Sequence, residues 1–328
     1  MTDQKMMTPA IDVAPLFDSN PDVWVPVDRL IGEACQRKGG FVVTGLPPLQ
    51  QNFSFERFFR IFELPDPVLY DIAKREMRPD SRLTMRGYLN RDKGGFAYGE
   101  QFDLGPEGQL RGPEIDGIDM LLNENAWPSS EPYPGWREEI IKHFKQMESI
   151  GCVIIGSIAR YLEVNDLAAI KRYQNSSSIL RFLKYPERPQ HIEIGGETGA
   201  MRVVDGSEVP LVASEHTDNG GLTFQWQDEP GLQIKTPEEK WLGIPNIRDG
   251  FSVHLGETLE TQSLGRVSAT PHRVYSTGKT RQSMVFFLEP NLFGSTEQFS
   301  KGQSEQRPSN ENTYAASMVK ALRKTGRA

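Results

Sequence analysis

The pattern of apolar and polar positions changes character about midway along the chain. Apolar residues recur at helical spacing over 25–39 and roughly 54–78, while "TPAIDVAPLF" and "FVVTGLP" have the short apolar pattern of strands. The longest helical pattern covers 135–162 and predicts a helix packed on a core. Residues 79–135 are rich in Gly, Pro and charge with little period, which predicts long loops over a scaffold.

After about residue 178 the pattern becomes that of many short strands. Runs such as "SILRFLKYP", "LTFQWQ", "GFSVHLGE" and "RQSMVFFLEP" are separated by Gly, Pro, Asn and Asp. Short strands at close spacing predict a sandwich or barrel, and 312–327 predicts a final amphipathic helix. We therefore divide the chain into an N-terminal helical and αβ region with loops, 1–135, and a helix plus β-rich core, 136–328. We expect the two to form one compact structural unit.

Composition excludes several classes of function. The chain has 37 Lys and Arg against 44 Asp and Glu, a net charge of −7, so no basic footprint predicts nucleic-acid binding. No apolar run approaches the ~18 residues that span a bilayer, and the N-terminus lacks the apolar segment of a secretory signal. Cys35 and Cys152 lie in unrelated segments and are expected to be reduced and buried. These features predict a cytoplasmic protein.

The segment "ASEHTDNGGLTF" (213–224) carries the first candidate chemistry. On an extended strand His216 and Asp218 project from one face, so an imidazole and a carboxylate converge. The triplet alone is a weak motif, but a second histidine, His272, stands in the later strand "SATPHRVYST". Two histidines and one carboxylate are the usual Fe(II) ligands of non-haem oxygenases, and they leave coordination positions open. We therefore predict that these three residues bind iron.

A second motif follows the third candidate ligand. In "RQS", Arg281 and Ser283 share one strand face, and together they can hold a carboxylate through the guanidinium fork and a hydroxyl. The same alternation places Val285 and Phe287 on that face. Phe287 is accordingly predicted to line the substrate pocket.

On these residues the sequence resembles the 2-oxoglutarate and Fe(II)-dependent oxygenase superfamily, within it the isopenicillin N synthase-like branch. The resemblance covers most of the chain, from "ACQRKGGFVVTGLP" and "GEQFDLG" to "LRFLKYP", "EHTDNGGLTFQWQDEPGLQI", "TPHRVYS" and "RQSMVFFLEPN". It implies a mainly β fold with flanking helices: a double-stranded β-helix (jelly-roll) core with an N-terminal α/β region packed on it. The core falls in 136–328.

The resemblance also implies an activity and its cofactors. It makes His216, Asp218 and His272 the Fe(II) ligands, with 2-oxoglutarate as cosubstrate and O2 as oxidant. Beyond the metal site it implies no further catalytic side chain. The expected reaction is oxidation of a small-molecule substrate, most often hydroxylation, coupled to decarboxylation of 2-oxoglutarate to succinate and CO2. Desaturation, ring closure and epoxidation use the same kind of site and stay open. Branch analogy favours a small natural product or an amino-acid-derived metabolite as substrate, and a role in secondary metabolism.

The far end of 2-oxoglutarate is expected to meet three side chains. The resemblance assigns its distal carboxylate to Arg281, Ser283 and Tyr185, the last of which matches the second tyrosine of the "NYYP" segment of the branch. Leu183 and Lys184 stand where plant members have Asn and the first Tyr, which puts one hydrogen bond near the cosubstrate in question.

Further departures indicate a microbial enzyme with its own substrate. His254 occupies a position where Asn is common, and we expect a hydrogen-bonded strand residue there and not a fourth ligand. Residues 187–212 form a longer connection into the ligand strand than plant members have, and the role of this insert is not set by the sequence.

Two alternative functions remain at this level. One is an iron oxidase of the isopenicillin N synthase type, which needs no 2-oxoglutarate and would use Arg281 and Ser283 to bind a substrate carboxylate. The other is a non-catalytic barrel that binds a small molecule. In each case the expected partner is a small molecule, with no nucleic acid and no membrane, and the protein is expected to be a monomer or a weak homo-oligomer.

Overall fold

The computed structural model contains six α-helices and thirteen β-strands among the residues that it describes. These residues are 9–47, 49, 54–91, 99–108, 110, 112–187, 201–204, 207–299 and 309–324. The helices are α1 (Trp24–Lys38), α2 (Asp66–Asp71), α3 (Trp136–Tyr161), α4 (Asp166–Tyr173), α5 (Glu257–Gln262) and α6 (Tyr314–Lys324). The strands are β1 (Ala10–Asp12), β2 (Gly40–Thr44), β3 (Gly87–Arg91), β4 (Gly99–Leu104), β5 (Ile179–Tyr185), β6 (Met201–Val204), β7 (Ser207–His216), β8 (Leu222–Gln227), β9 (Leu232–Lys235), β10 (Trp241–Gly243), β11 (Phe251–Leu255), β12 (His272–Tyr275) and β13 (Arg281–Leu288).

The strands form two sheets. The larger has eight strands in the order β1-β2-β11-β8-β13-β5-β4-β3, and the smaller has five in the order β10-β9-β12-β7-β6. Except for the parallel pair β1 and β2, every strand pairing within these sheets is antiparallel. Strands from both sides of residue 136 share the larger sheet, so the N-terminal region contributes to the same layer as the β-rich half.

The larger sheet has two chemically different faces, and we call the one that bears the candidate site the inner face. On its outer face Phe182, Phe224 and Phe286 are fully buried, and the ring of Phe286 meets Phe144 of α3 with centroids 5.2 Å apart. Alternation along each strand sends the intervening residues to the inner face. There Gln225 and Ser283 are polar although both are buried. The inner face is therefore polar at these positions, whereas the outer face is apolar and packs against α3.

Helix α3 is the main support of the outer face. It begins after Gly135, whose φ of 83° suits a glycine, and the acidic residues of its first turn complement the helix dipole. Near its other end Arg160 donates to both carboxylate oxygens of Asp28 on α1 at 2.8 Å. This ion pair holds α3 against α1. The helix predicted from the apolar pattern over 135–162 is therefore confirmed.

Three stretches differ from the sequence-based expectations. Residues 79–135, expected as loops, contain β3 and β4, because β5 supplies a paired edge that no local pattern reveals. The region 54–78 holds a 3₁₀ segment, Phe55–Glu63, and the short α2 in place of one helix. Within 187–212, β6 and β7 pair as antiparallel neighbours, while 188–200 lie outside the described residues.

Two simpler expectations concern the cysteines and the membrane. Cys35 and Cys152 are both free thiols, Cys35 buried and Cys152 partly so, and burial raises the pKa of each to about 12. Within the described ranges, no helix combines the length and apolarity that crossing a membrane requires.

His143 on α3 gives the fold a testable pH dependence. It is buried beside Phe55 and Phe58, and burial lowers its pKa from 6.5 to about 3. The folded state therefore favours the neutral ring, so stability is complete above the unfolded pKa and is lost as pH falls from about 6.5 towards 3. We expect His143→Leu to remove up to ~1.4 kcal/mol per pH unit from that slope. Denaturant unfolding at several pH values measures it, and equal slopes in the two proteins would contradict the assignment.

Candidate metal and cosubstrate site

Strand pairing in the smaller sheet brings the predicted metal ligands together. His216 is the last residue of β7 and His272 the first of β12, and the two are direct antiparallel partners. Their ring centroids lie 4.1 Å apart. Asp218 follows His216 by two residues as the chain leaves the strand. One donor atom from each of these three residues lies within 4.8 Å of the others.

Backbone carbonyls orient both imidazoles. Nδ1 of His216 lies 2.7 Å from the Ser214 oxygen, and Nδ1 of His272 lies 3.0 Å from the Thr270 oxygen. A carbonyl can only accept, so the proton is on Nδ1 and the Nε2 lone pair is exposed towards Asp218. The two Nε2 atoms lie 3.8 and 3.7 Å from the carboxylate oxygens of Asp218. Metal-binding histidines in proteins are commonly oriented in this way.

The Asp218 carboxylate is held from the opposite side by the larger sheet. Its Oδ2 accepts from the Thr223 hydroxyl at 2.5 Å and faces His254 Nε2 at 3.2 Å. Burial alone would raise the pKa of Asp218, but His272, His254 and His216 hold it well below its usual range. The carboxylate is therefore ionised, and its Oδ1 faces His216 Nε2 at 3.8 Å.

This donor set fits Fe(II). Burial lowers the pKa of both His216 and His272 to about 4, so the two rings are neutral ligands at neutral pH. Two neutral imidazoles and a carboxylate match the facial set of non-haem iron sites. The cluster lies between the two sheets, where the remaining coordination positions would face the interior.

His254 lies closer to the cluster than the sequence indicates. It is buried on β11, and its ring centroid is 4.3 Å from that of His272. Its contact with Asp218 requires the proton on Nε2, which makes that nitrogen a donor and not a lone-pair ligand. The structure agrees with the expectation of a hydrogen-bonded strand residue.

Replacing His254 by Asn should therefore leave the iron stoichiometry unchanged. Removing a partner of a metal ligand lowers metal affinity by roughly 10-fold to 100-fold, and the Asn amide can restore part of the hydrogen bond, so we expect the low end. Iron content after dialysis and an iron titration measure the two quantities. Loss of the metal at saturating Fe(II) would make His254 a ligand.

Arg281 begins β13 directly opposite Tyr185 on β5. It is buried, with Nη2 donating to Gln227 at 2.7 Å and Nε donating to the Glu229 carbonyl at 3.2 Å. The Arg281 Cζ atom lies 5.1 Å from the centre of the Tyr185 ring. Its Nη1 is buried and makes no well-formed hydrogen bond among the described residues. Burial lowers the pKa of Arg281, and Tyr185 and Asp228 offset this only in part. A carboxylate would satisfy both the charge and the spare donor.

Ser283 lies on the inner face two residues after Arg281 and is fully buried. Its hydroxyl donates to the Trp226 carbonyl at 3.1 Å and accepts from Gln225 Nε2 at 2.9 Å. Two glutamines of β8 thus hold the arginine and the serine in place. The sequence analysis missed both, although "LTFQWQ" alternates polar with apolar residues, which is the signal of a strand with one polar face.

Phe287 completes the inner face of β13. It pairs across the sheet with Thr223, whose hydroxyl holds Asp218. Its ring also lies 5.0 Å from the Arg181 Cζ atom. The structure therefore brings Phe287 beside the ligand cluster, whereas its contact with a substrate stays a prediction.

Comparison with known proteins agrees with this geometry. The model of the 2OG-Fe(II) oxygenase superfamily matches residues 175–290. The chain is 28% identical to a 2-oxoglutarate-dependent dioxygenase, citB, of Monascus ruber, over 89% of this chain and 87% of that protein. It is 25% identical to an isopenicillin N synthase of Streptomyces clavuligerus, over 96% and 94%.

Solved structures show the same fold. A full-length Neurospora crassa protein in complex with alpha-KG superimposes with a TM-score of 0.77 at 20% identity, covering 99% of this chain and 98% of that one. A 2OG-Fe(II) oxygenase family protein from Caulobacter crescentus gives 0.71 at 18% identity, over 97% and 99%. The mainly β fold with flanking helices and a jelly-roll core is confirmed. Residues 175–290 are thus a 2OG-Fe(II) oxygenase superfamily domain, and the protein is a 2-oxoglutarate-dependent dioxygenase that uses Fe(II) and O2.

Proposed function

We propose that this dioxygenase hydroxylates a small-molecule substrate at an Fe(II) ion bound by His216, Asp218 and His272. One observation carries the proposal: the donor atoms of these three residues converge within 4.8 Å. Both imidazoles direct the Nε2 lone pair to the site, and the Asp218 carboxylate is ionised. No proton would therefore have to leave these three side chains before a divalent ion binds. When bound, the iron supplies the oxidising chemistry that couples decarboxylation of 2-oxoglutarate to oxidation of the substrate.

The same proposal assigns Arg281, Ser283 and Tyr185 to the distal carboxylate of 2-oxoglutarate. Supporting this role, Arg281 is buried with a spare donor, and Tyr185 is its cross-strand partner. A guanidinium fork binds a planar carboxylate with more specificity than an ammonium group does. Gln227 would orient the fork, because it already accepts from Nη2.

The residues around the site would orient the metal ligands and keep water away from the reacting atoms. The Ser214 and Thr270 carbonyls hold the ring planes of the two histidines, and Thr223 holds the carboxylate. These contacts orient the three predicted ligands towards one point. Val285 and Phe287 would form an apolar wall that excludes water from the reacting atoms.

Oxygen uptake with and without 2-oxoglutarate tests the proposed activity. The Fe(II) protein is incubated with a panel of small natural products, and the products are analysed by mass. Hydroxylation adds one oxygen atom, whereas desaturation or ring closure removes two hydrogen atoms. Uptake that depends on 2-oxoglutarate, with succinate formed, supports the proposal. Substrate-driven uptake that ignores 2-oxoglutarate would favour the oxidase reaction in its place.

Four features from the sequence remain predictions. They are a microbial origin of the enzyme, a secondary metabolite as substrate, a monomer or weak homo-oligomer, and a cytoplasmic location. Size-exclusion chromatography of the purified protein tests the oligomeric state.

A further inference from the structure

Arg181 is a cation on the inner face of the larger sheet. Its neighbours on β5, Leu180 and Phe182, are fully buried on the outer face, and Phe182 packs against Phe58 and Phe59. Alternation therefore sends Arg181 to the inner face. Its side chain is 30% exposed there, in contrast to the near-complete burial of Arg281. The guanidinium is thus open to the space in front of the sheet.

A buried carboxylate fixes the position of this guanidinium. Asp103 on β4 is the cross-strand partner of Arg181. Its two oxygens accept from Arg181 Nε at 2.8 Å and from Nη2 at 2.9 Å. A fork held by Nε and Nη2 turns Nη1 away from the carboxylate. Gln101 also donates to Asp103, so the carboxylate itself is held in place.

The charges at Asp103 do not balance. Lys74 forms a second ion pair with the same carboxylate, and the Lys74 and Asp103 side chains are only 5% and 0% exposed. Burial alone would raise the pKa of Asp103, but Arg181 and Lys74 lower it to about 2, so it is ionised. Arg181 and Lys74 are two cations on one carboxylate, although burial lowers the pKa of Lys74. Asp218 is the other carboxylate that favours the Arg181 cation, and a metal ion bound to Asp218 would offset that charge. An anion of the substrate would then stabilise the partly desolvated guanidinium.

This cation borders the candidate metal site. The Arg181 Cζ atom lies 5.0 Å from the centre of the Phe287 ring, and Phe287 is the cross-strand partner of Thr223, the donor to Asp218. An oxygen that accepted from Arg181 Nη1 would therefore belong to a molecule in front of the metal ligands. Arg281 is at the other end of β13, so the two arginines are separate binding positions.

We propose that Arg181, held by Asp103 above Phe287, binds an anionic oxygen of the substrate, so that the enzyme acts on small organic acids. The acidic group is a carboxylate or the hydroxyl of an acidic enol or phenol, because the guanidinium recognises the oxygen and not its source. This inference rests on the proposed function and specifies its substrate class.

The chain offers a matched control for Arg181. Lys184 lies three residues later on β5, on the outer face, and its side chain is also 30% exposed. It pairs with one carboxylate, Glu100, at 3.6 Å. Removing Lys184 changes the charge of the same strand by the same amount but leaves the inner face untouched.

The test compares acids with neutral analogues as stimulants of succinate formation from 2-oxoglutarate. One arm pairs aliphatic and aromatic carboxylic acids with their primary amides, and a second arm pairs phenols with their methyl ethers. In the wild-type Fe(II) protein the best acid should stimulate at least about tenfold more than its neutral partner, the order expected of a charge-assisted hydrogen bond. The arm that shows the preference identifies the acidic group.

The variants separate recognition from stability. Arg181→Met leaves the neutral Lys74–Asp103 pair, so the fold should persist, and the acid preference should disappear. Arg181→Lys should keep part of the preference, and it also serves if the Met variant does not fold. Lys184→Met should keep the whole preference. If Arg181→Met kept the full preference for acids over neutral analogues, Arg181 would have only a structural role in the sheet.

Binding of 2-oxoglutarate to the wild-type protein is measured first. If it does not bind, the proposed function fails. If it binds but the neutral compounds stimulate as well as the acids, the acid-binding role of Arg181 is overturned and the proposed function stands. If it binds and neither class stimulates, the inference that the substrate is a carboxylic acid, enol or phenol is overturned, and the oxygen-uptake test decides the proposed function separately.

Discussion

Replacing Arg281 by Gln should lower the affinity for 2-oxoglutarate by roughly a hundredfold or more. Arg281 is buried, and water cannot replace it as the partner of a carboxylate. Removing one member of a buried charge pair typically costs ~3–5 kcal/mol, and ~1.4 kcal/mol corresponds to a tenfold change in affinity. Arg281→Lys should be intermediate, because an ammonium group restores the charge but not the fork.

Anaerobic titration of the Fe(II) protein with 2-oxoglutarate measures this effect. The visible charge-transfer band expected of the iron chelate reports binding, and the iron content should stay at the wild-type level because the metal ligands lie on other segments. Lys279→Gln is the control: it makes the same charge change two residues before Arg281, but its side chain is 71% exposed and pairs with Glu229. Near-normal affinity in Arg281→Gln would remove Arg281 from the cosubstrate site.

Alanine in place of His216, Asp218 or His272 should abolish iron binding and turnover. Partners of a metal ligand typically contribute 10-fold to 100-fold to metal affinity, so loss of a ligand itself should cost more than about a hundredfold. Each variant leaves two donors, which cannot form the facial set. Iron content and 2-oxoglutarate-dependent oxygen uptake are measured together, with circular dichroism as the check on folding.

Thr217→Ala is the matched control for the ligand variants. Thr217 lies between His216 and Asp218, but its hydroxyl donates to Glu257 at 2.6 Å and not to the cluster. It should retain iron and activity. A ligand variant that kept wild-type iron content and turnover would show that its residue is misassigned.

The sequence predicted the parts of the site that depend on local spacing. Arg281 and Ser283 lie two apart on β13, and strand alternation places them on one face. His216 and Asp218 also lie two apart, but β7 ends at His216, so the expected strand does not extend to Asp218. The convergence of His272 required only a second strand with the right residue. Their functional roles stay predictions until the variants are measured.

Other parts of the site depend on long-range pairing and could not be read from one sequence. Gln225 and Gln227 reach Ser283 and Arg281 only because β8 and β13 are neighbours in that register. The contact of His254 with Asp218 connects the two sheets. Lys74 reaches Asp103 from the turn after α2, and no periodic pattern indicates it. Strands β3 and β4 were missed for the same reason, since β4 pairs with the distant β5 and β3 pairs with β4.

The two-faced character of the larger sheet has a consequence for how such an enzyme can diversify. Residues that determine folding and residues that determine reactivity alternate along the same strands, yet they contact different surroundings. A mutation at Phe287 or Leu183 alters the interior without opening a void beneath α3. Substrate selectivity can therefore change during evolution through single substitutions on the inner face. The outer-face residues that pack against the helices, and with them the fold, stay unchanged.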